Sequence, residues 1–325
     1  MEKIKFLTMA ALATAFFASC SNEDGLPQSN YPADNVVRIT TSVDGMNTRA
    51  SYGGSTAKLS SFGFCINNAG SDKYTYDNIK VTQENGKWNP ATQMLWQNST
   101  TAVDILAYAP YQANGNVKIF GKSDYAFSVK EDQSIAEDYS SDLIVYKQTG
   151  FKPESDLNTN QAVNVAFTHL LSQLNLTIEL RDQFNQDEKK PVTEATVTDV
   201  KVNGTIISSK VDFSASPISV QVDDTQEATA ITPETTEFKA AGKTTDHAAF
   251  NYSAIVIPQT VTAGNFSISF KVDGTDYIWT STSDVNFVSG NKHQLSLLVG
   301  KDVVQVKGIT ATPWGKENIT QGETD

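Results

Sequence analysis

Alternation of apolar and polar residues with a period of two recurs along the whole chain, and no other feature constrains the fold as strongly. Examples are "NVVRITTSV" (35–43), "FSISFKV" (266–272) and "QLSLLV" (294–299). Turn pairs such as Asn-Gly and Asp-Gly separate these runs, and long stretches with helical spacing are hard to find. The sequence therefore predicts an all-β chain of many short strands arranged as β-sandwiches.

The N-terminus has the pattern of an export signal. Lys3 and Lys5 begin it, an apolar run follows, and Ser19 and Cys20 end it. This order is typical of a secretory signal peptide, and the apolar run is too short for a lasting membrane span. The stretch "FFASC" is similar to a lipobox, so we expect residues 1–19 to be a lipoprotein signal peptide and Cys20 to carry acyl chains such as palmitate. The alternative is an ordinary signal peptide with an incidental cysteine.

Acidic residues follow the cysteine, and acidic residues dominate the charge of the whole chain. Glu23 and Asp24 come shortly after Cys20 and resemble the export tag that sends some Gram-negative lipoproteins to the outer face of the outer membrane. We therefore expect an outer-membrane lipoprotein precursor, tethered by lipid rather than by a spanning segment. The net charge of −12 argues against a nucleic-acid partner, which needs clustered Lys and Arg.

The length of the chain and one polar stretch indicate two domains. The mature chain is long enough for two cores of ordinary size. The stretch "KQTGFKPESDLNTNQ" (147–161) is rich in Pro, Asn, Ser and charged residues, and apolar runs flank it. It predicts an N-terminal β-sandwich domain at 50–160 and a C-terminal β-sandwich domain at 161–302.

Residues that commonly carry catalysis or bind metals are few and dispersed. His169, His247 and His293 are far apart without metal-binding spacing, and His169 in its apolar segment is predicted to be a packing residue. The aspartates of "VDGTDY" (272–277) suit a β-hairpin turn better than a calcium loop. With Cys20 lipidated, Cys65 is the one remaining cysteine, and we expect it to be a buried thiol. The sequence predicts no enzyme, no cofactor and no metal.

Arginine is scarce, and one arginine lies in a loop-like segment of small residues. The three arginines are Arg38, Arg49 and Arg181. Arg49 lies in "VDGMNTRASYGG", where small and flexible residues follow it, whereas Arg38 lies inside a predicted strand. We therefore predict that a trypsin-like, arginine-specific protease cuts between Arg49 and Ala50. The alternative is a solvated loop arginine.

Cleavage there would release a strand. The strand's side chains on one face are Val37, Ile39, Thr41 and Val43. Residues 20–49 would then be a propeptide with a removable strand, and its loss would leave an open hydrophobic groove with unpaired backbone groups. Strand addition from a neighbouring chain could cover that groove.

The C-terminal tail, residues 303–325, is the predicted donor of such a strand. Its alternating side chains lie in "DVVQVKGITATPW". The donor residues are Val304, Val306, Ile309 and Ala311. The phase of alternation switches at Lys307–Gly308, which suggests a bulge or a bend.

Several motifs in fixed order resemble the fimbrillin family, the subunits of type V pili. They are the lipobox, "NTRA", "DILAYAPY", "VAFTHLLSQLNLTI", "AIVIPQT", "FVSGNKHQLSL" and "ITATPWG". The resemblance implies two tandem transthyretin-like β-sandwich domains. It also implies export as a lipoprotein, cleavage after an arginine and polymerisation by donor-strand exchange.

The expected function is that of a structural pilus subunit used for adhesion and biofilm formation. The arginine site and the donor-like tail together favour a stalk subunit. Its expected partners are other fimbrillin subunits, the outer membrane through the lipid, and the trypsin-like protease, and its expected place is a cell-surface pilus. The alternative is a surface lipoprotein that does not polymerise and binds glycans on aromatic platforms. The candidate platforms are Trp88, Trp96, Trp279 and Trp314.

Overall fold

The computed structural model describes residues 30–43, 58–113, 118–135, 137–185, 191–242 and 246–314. Strands dominate these ranges, so the predicted all-β fold is confirmed. The strands up to residue 170 are β1 (Ile39–Val43), β2 (Ser61–Asn67), β3 (Tyr76–Glu84), β4 (Lys87–Pro90), β5 (Val103–Ala109), β6 (Tyr125–Ser128), β7 (Ile144–Phe151) and β8 (Val163–His169). The later strands are β9 (Ser172–Leu180), β10 (Val197–Asn203), β11 (Ser208–Asp212), β12 (Ser219–Val222), β13 (Glu234–Lys239), β14 (Ala248–Val256), β15 (Gln259–Val261), β16 (Ser267–Val272), β17 (Thr275–Thr280), β18 (Val285–Phe287), β19 (Asn291–Val299) and β20 (Val304–Pro313).

Helix is a minor component of the described ranges. The helical segments are α1 (Pro153–Asp156) and the 3-10 turns Asp72–Tyr74, Asp182–Phe184 and Glu194–Thr196. Nowhere in those ranges does a helix have the length and apolar character to cross a membrane.

A seven-stranded sheet forms the first part of the fold, in the order β1-β8-β7-β5-β2-β3-β4. β1 runs parallel to β8 at one edge, and the other strand pairs are antiparallel. One face of the sheet covers a core in which the Phe62 ring is central. Its centroid lies 5.0 Å from that of Trp88 and 5.4 Å from that of Phe167, both edge-on. This core also receives the inward side chains of β1.

The central strands of this sheet are buried on both faces, which explains why their sequences do not alternate. In β2, Phe64 belongs to the first core and Cys65 to a second core. In β5, Ile105 and Leu106 are divided in the same way. Cys65 is fully buried, as predicted, and its burial raises the pKa of the thiol.

The second core lies among smaller sheets formed mainly by the C-terminal half. Their strand orders are β13-β14-β9-β19-β20, β10-β16-β17, β12-β11-β6 and β15-β18. All of them contribute to one cluster, including Phe250, Ile268, Val211 and Phe287. β6 comes early in the sequence, yet Tyr125 in β6 lies opposite Val211 in β11. The two halves of the chain are therefore interleaved.

The two parts of the fold are joined closely where β8 ends. Leu170 and Leu171 alone separate β8 from β9, so the chain passes directly from the seven-stranded to the five-stranded sheet. On β7, Lys147 Nζ donates hydrogen bonds to the carbonyl oxygens of residues 213–215 at 2.8 to 2.9 Å. Burial lowers the pKa of Lys147. β8 follows residue 160, the predicted end of the N-terminal domain, yet it pairs in the seven-stranded sheet. The division into two domains at residue 160 stays a prediction.

Candidate functional site: the two terminal strands

β1 lies at the edge of the seven-stranded sheet and is held from two sides. Its register with β8 begins with Ile39 opposite Val163. Just before the strand, Val37 N donates to Met94 O at 3.0 Å. We call the space that β1 fills between β8 and the Met94 segment the β1 groove.

The inward face of β1 matches the alternation of the sequence. Val37, Ile39 and Val43 are buried, with 2 to 8% of each residue exposed. Thr41 points the same way, opposite Val165, and its Oγ1 is buried without a hydrogen-bond partner among the described residues. A buried hydroxyl without a partner costs about 1–3 kcal/mol. β1 therefore fills its groove well but not ideally.

A cavity of about 920 Å³ opens along the outer edge of β1. β1 forms one wall, and residues 83 and 86–90 of the β3–β4 hairpin form another. β1 is also the last strand in its sheet, so no described strand pairs with this edge over Ile39–Val43. An additional strand has room to approach β1 from this side.

β20 is the corresponding edge strand of the five-stranded sheet. It runs antiparallel to β19, from Val304 opposite Val299 to Pro313 opposite Asn291. The register shifts because Ser296 faces Gly308 while Leu297 faces Val306. Lys307 is therefore the extra residue of a bulge, which confirms the predicted break in phase.

The bulge brings all four predicted donor side chains to one face of β20. Opposed residues of an antiparallel pair share a face, and the partners of these side chains on β19 are core residues. The pairs are Val304 with Val299, Val306 with Leu297, Ile309 with Leu295 and Ala311 with His293. Val306 and Ile309 nevertheless remain 47% and 42% exposed, whereas Leu297 and Leu295 are buried. The tail thus presents an apolar face at the open edge of its own sheet.

Trp314, the last described residue, fixes the end of β20. Its backbone N donates to Gly290 O at 2.7 Å. Its ring stacks on that of His169, with centroids 3.8 Å apart and 6° between planes. Lys292 Nζ lies over the indole at 5.7 Å, and Asp142 Oδ1 lies 2.9 Å from His169 Nδ1. We call the three residues His169, Gly290 and Lys292 the Trp314 seat.

The lipidation site Cys20 and the cleavage site Arg49–Ala50 lie outside the described residues, so both stay predictions. Within the described ranges, no group of three or more His, Cys, Asp and Glu is arranged to hold a metal ion. The "VDGTDY" segment is a hairpin, in which Asp273 and Gly274 have φ values of 50° and 81° between β16 and β17. His169 is a buried packing residue, as predicted.

All four tryptophans pack against other rings. The pairs are Trp88 with Phe62, Trp96 with Phe151, Trp279 with Phe266 and Trp314 with His169. Trp96 and Trp314 are buried, and Trp88 and Trp279 are partly buried. Packing therefore accounts for these residues without a sugar-stacking platform.

Sequence reasoning missed two residues of this site. The alternation of the sequence makes Thr41 an ordinary inward residue of β1, and Trp314 is a candidate glycan platform on sequence alone. The strand pattern shows that Thr41 faces inward, but not whether its hydroxyl finds a partner. No local signal links Trp314 to His169, because the two residues are far apart in the chain.

Comparisons with known proteins bear on the family and the fold of the chain. A family model described as fimbrillin-like matches residues 48–314. The match starts after β1 and ends at Trp314. A search of curated proteins found no match.

Three solved structures share the fold. A proposed cell adhesion protein from Bacteroides ovatus is 12% identical with a TM-score of 0.62, and the match covers 87% of this chain and 99% of that chain. A proposed cell adhesion protein from Bacteroides uniformis is 19% identical with a TM-score of 0.55 and the same coverage. A fimbrial protein from Bacteroides vulgatus is 16% identical with a TM-score of 0.52, covering 86% and 99%. Identities this low show likeness of fold alone.

Proposed function

Because the chain belongs to the fimbrillin-like family, we propose that it is the stalk subunit of a cell-surface pilus and polymerises by donor-strand exchange. In this proposal the tail of one subunit, residues 303–325, enters the β1 groove of the next. Lipidation at Cys20 anchors the exported precursor to the outer membrane. A trypsin-like protease then cuts after Arg49, and the pilus serves adhesion and biofilm formation.

One observation carries the proposal: the two edge strands differ in how well they bury their apolar faces. β1 is an edge strand whose inward side chains fill a core. β20 is an edge strand with the same kind of alternation, but Val306 and Ile309 stay nearly half exposed. The β1 groove is filled by an apolar strand, and β20 is an apolar strand whose face is not covered. Both occur in one molecule, in different sheets.

The balance of free energy favours exchange only after the precursor is cut. On exchange, the backbone hydrogen bonds between β20 and β19 break, and new ones form between the tail and β8 of the next subunit. The free energies of the two sets of bonds nearly cancel. Full burial of the half-exposed Val306 and Ile309 adds about 1 kcal/mol each. An incoming tail also avoids the buried hydroxyl of Thr41. These gains are small beside the advantage that a tethered β1 has through its high effective concentration. Cleavage at Arg49 abolishes that advantage because it cuts the tether.

The donor residues can be tested with variants that leave the monomer intact. Ile309→Ser should change monomer stability by less than about 1 kcal/mol, because the side chain is already exposed. The same change should strongly reduce polymer formation, since Ile309 would be buried in the next subunit. Thr310→Ser, on the opposite face of β20, is the matched control and should polymerise normally.

Polymers are detected as a ladder on SDS gels of unboiled, trypsin-treated precursor. A ladder from Ile309→Ser as strong as from Thr310→Ser would contradict the donor assignment. A single band from the wild-type protein, together with a melting temperature that rises with added sugar, would favour the glycan-binding alternative.

A further inference from the structure

The Trp314 seat gathers residues from both parts of the fold around one side chain of the tail. His169 ends β8 of the seven-stranded sheet, and Lys292 belongs to β19 of the five-stranded sheet. His169 is fixed by Asp142, and both side chains are completely buried. The contact with Asp142 does not involve the indole, so it holds the His169 ring in place whether or not the indole is seated.

Trp314 differs sharply from the side chains that precede it on the tail. Only 8% of Trp314 is exposed, against 47% for Val306 and 42% for Ile309. A buried tryptophan removes more apolar area from water than any other residue, and its stacking adds to that. Most of the side-chain burial that holds the tail on its own subunit is thus concentrated at its end.

We infer that the Trp314 seat is an autoinhibitory latch, which keeps the donor tail on its own subunit until the indole leaves. The inference rests on the proposed donor role of the tail, but the latch itself is a property of the free subunit. β20 is continuous with β19 at its start, through the turn at Gly300–Val303. No such turn ties the other end of β20 to β19 among the described residues, so the strand can separate from that end, and Trp314 holds it.

The latch separates two requirements that a donor strand must meet. The face of β20 that would enter the next subunit must be apolar. The same face must not be buried so completely in its own subunit that β20 cannot dissociate from β19. One seat at the end satisfies both, because release of the indole leaves the ten residues of β20 held mainly by their backbone hydrogen bonds to β19. Until release, the edge of β19 is also paired with β20 and is not open to other chains.

Amide hydrogen exchange of the full-length, monomeric precursor tests the latch without any polymer. In Trp314→Ala, the amides of β20 that bond to β19 should exchange at least about tenfold faster, given the size of an aromatic contact. Amides of β14 and β9 should keep their rates. Trp314→Phe retains a stacking ring and should restore most of the protection. Trp96→Ala removes a buried, stacked tryptophan of the other hydrophobic core, away from the seat, and should leave β20 unchanged.

Unchanged exchange of β20 in Trp314→Ala would overturn the inference, as would equal acceleration in Trp96→Ala, which would indicate general loosening. Trypsin-treated samples then test the consequence for assembly. Faster ladder formation by Trp314→Ala than by wild type supports the latch, and equal or slower formation contradicts it as a brake on assembly. Faster exchange of β20 with no ladder from either protein would support the latch and reject donor-strand polymerisation.

Discussion

Thr40 and Thr41 are neighbours in β1 with opposite environments. Thr40 Oγ1 accepts a hydrogen bond from Asn158 Nδ2 at 3.0 Å on the outer face. Thr41 Oγ1 lies on the inner face without a partner in the part of the chain that the structure describes. Two residues of one type, side by side, therefore contribute with opposite sign to how firmly β1 is held.

Substituting valine at each position separates these contributions. Thr41→Val replaces a buried hydroxyl by a methyl group of the same shape and should stabilise the precursor by about 1 kcal/mol. Thr40→Val loses two hydrogen bonds, one accepted from Asn158 Nδ2 and a long one donated to Val163 O, and should destabilise the precursor by about 1 kcal/mol or more. Urea denaturation of the uncleaved precursor measures both. A destabilised Thr41→Val would mean that its hydroxyl has a partner among residues that the structure does not describe.

At the scale of the strands, the sequence predicts those features that depend on the local pattern of residues. Alternation identified the inward face of β1, the phase break at Lys307 identified the bulge of β20, and the Asp-Gly pair identified the β16–β17 hairpin. Each of these features is set by residues only a few positions apart. They could therefore be derived without knowing which strands are neighbours.

Pairing between distant strands could not be derived in this way. Alternation indicates which face of β1 is buried, but not that its partner strand is β8. The paired residues Ile39 and Val163 are 124 positions apart in the chain. Nor does it place β6 beside β11, or bury β2 and β5 on both faces. The Trp314 seat depends on such pairings, because His169 and Lys292 meet only when β8 and β19 are both in position.

β19 also contains a titratable contact under the tail. His293 lies opposite Ala311, and its Nε2 accepts a hydrogen bond from Val288 N at 3.1 Å. Burial lowers the pKa of His293 below the ordinary 6.5. The unfolded chain therefore takes up a proton at higher pH than the folded chain does, so stability is complete above about pH 6.5 and falls as the pH falls below it.

His293→Gln tests this dependence, because an amide oxygen can accept the same hydrogen bond but does not titrate. The wild-type free energy of unfolding should fall between pH 7 and about pH 5.5, above the range where most carboxylates titrate. The variant should lose less over the same interval. Equal losses, measured by urea denaturation at both pH values, would show that other groups cause the effect.

For the whole molecule, the central prediction concerns Arg49. Arg49→Ala should give a stable, exported precursor that stays monomeric, because a tethered β1 outcompetes any tail from another chain. Wild-type precursor treated with trypsin should instead yield a chain that begins at Ala50. N-terminal sequencing of surface material checks this start. Fibres that begin at Cys20, or that form equally well from Arg49→Ala, would reject cleavage as the trigger.

Anchoring of the precursor is predicted to depend on Cys20. Cys20→Ala should abolish acylation and leave precursor that is not bound to membrane, because the thiol is the point of lipid attachment in a lipobox. Metabolic labelling with a fatty acid, followed by membrane fractionation, measures both effects. Label on the Cys20→Ala protein would place the anchor elsewhere.

The short β8–β9 connection sets the route that tension would take along the proposed fibre. Tensile force from a donor strand would be transmitted to β8 and through Leu170 and Leu171 into β9. From β9 it would pass to the paired strand β19, and from there to the tail that is donated to the next subunit. β8 lies parallel to the strand in its groove, and β9 lies parallel to β19, over eight residue pairs in the latter case. Strands pulled along their length load all their hydrogen bonds in shear at once, rather than one after another. The subunit would thus bear traction through a single line of strands whose inward side chains are anchored in both hydrophobic cores.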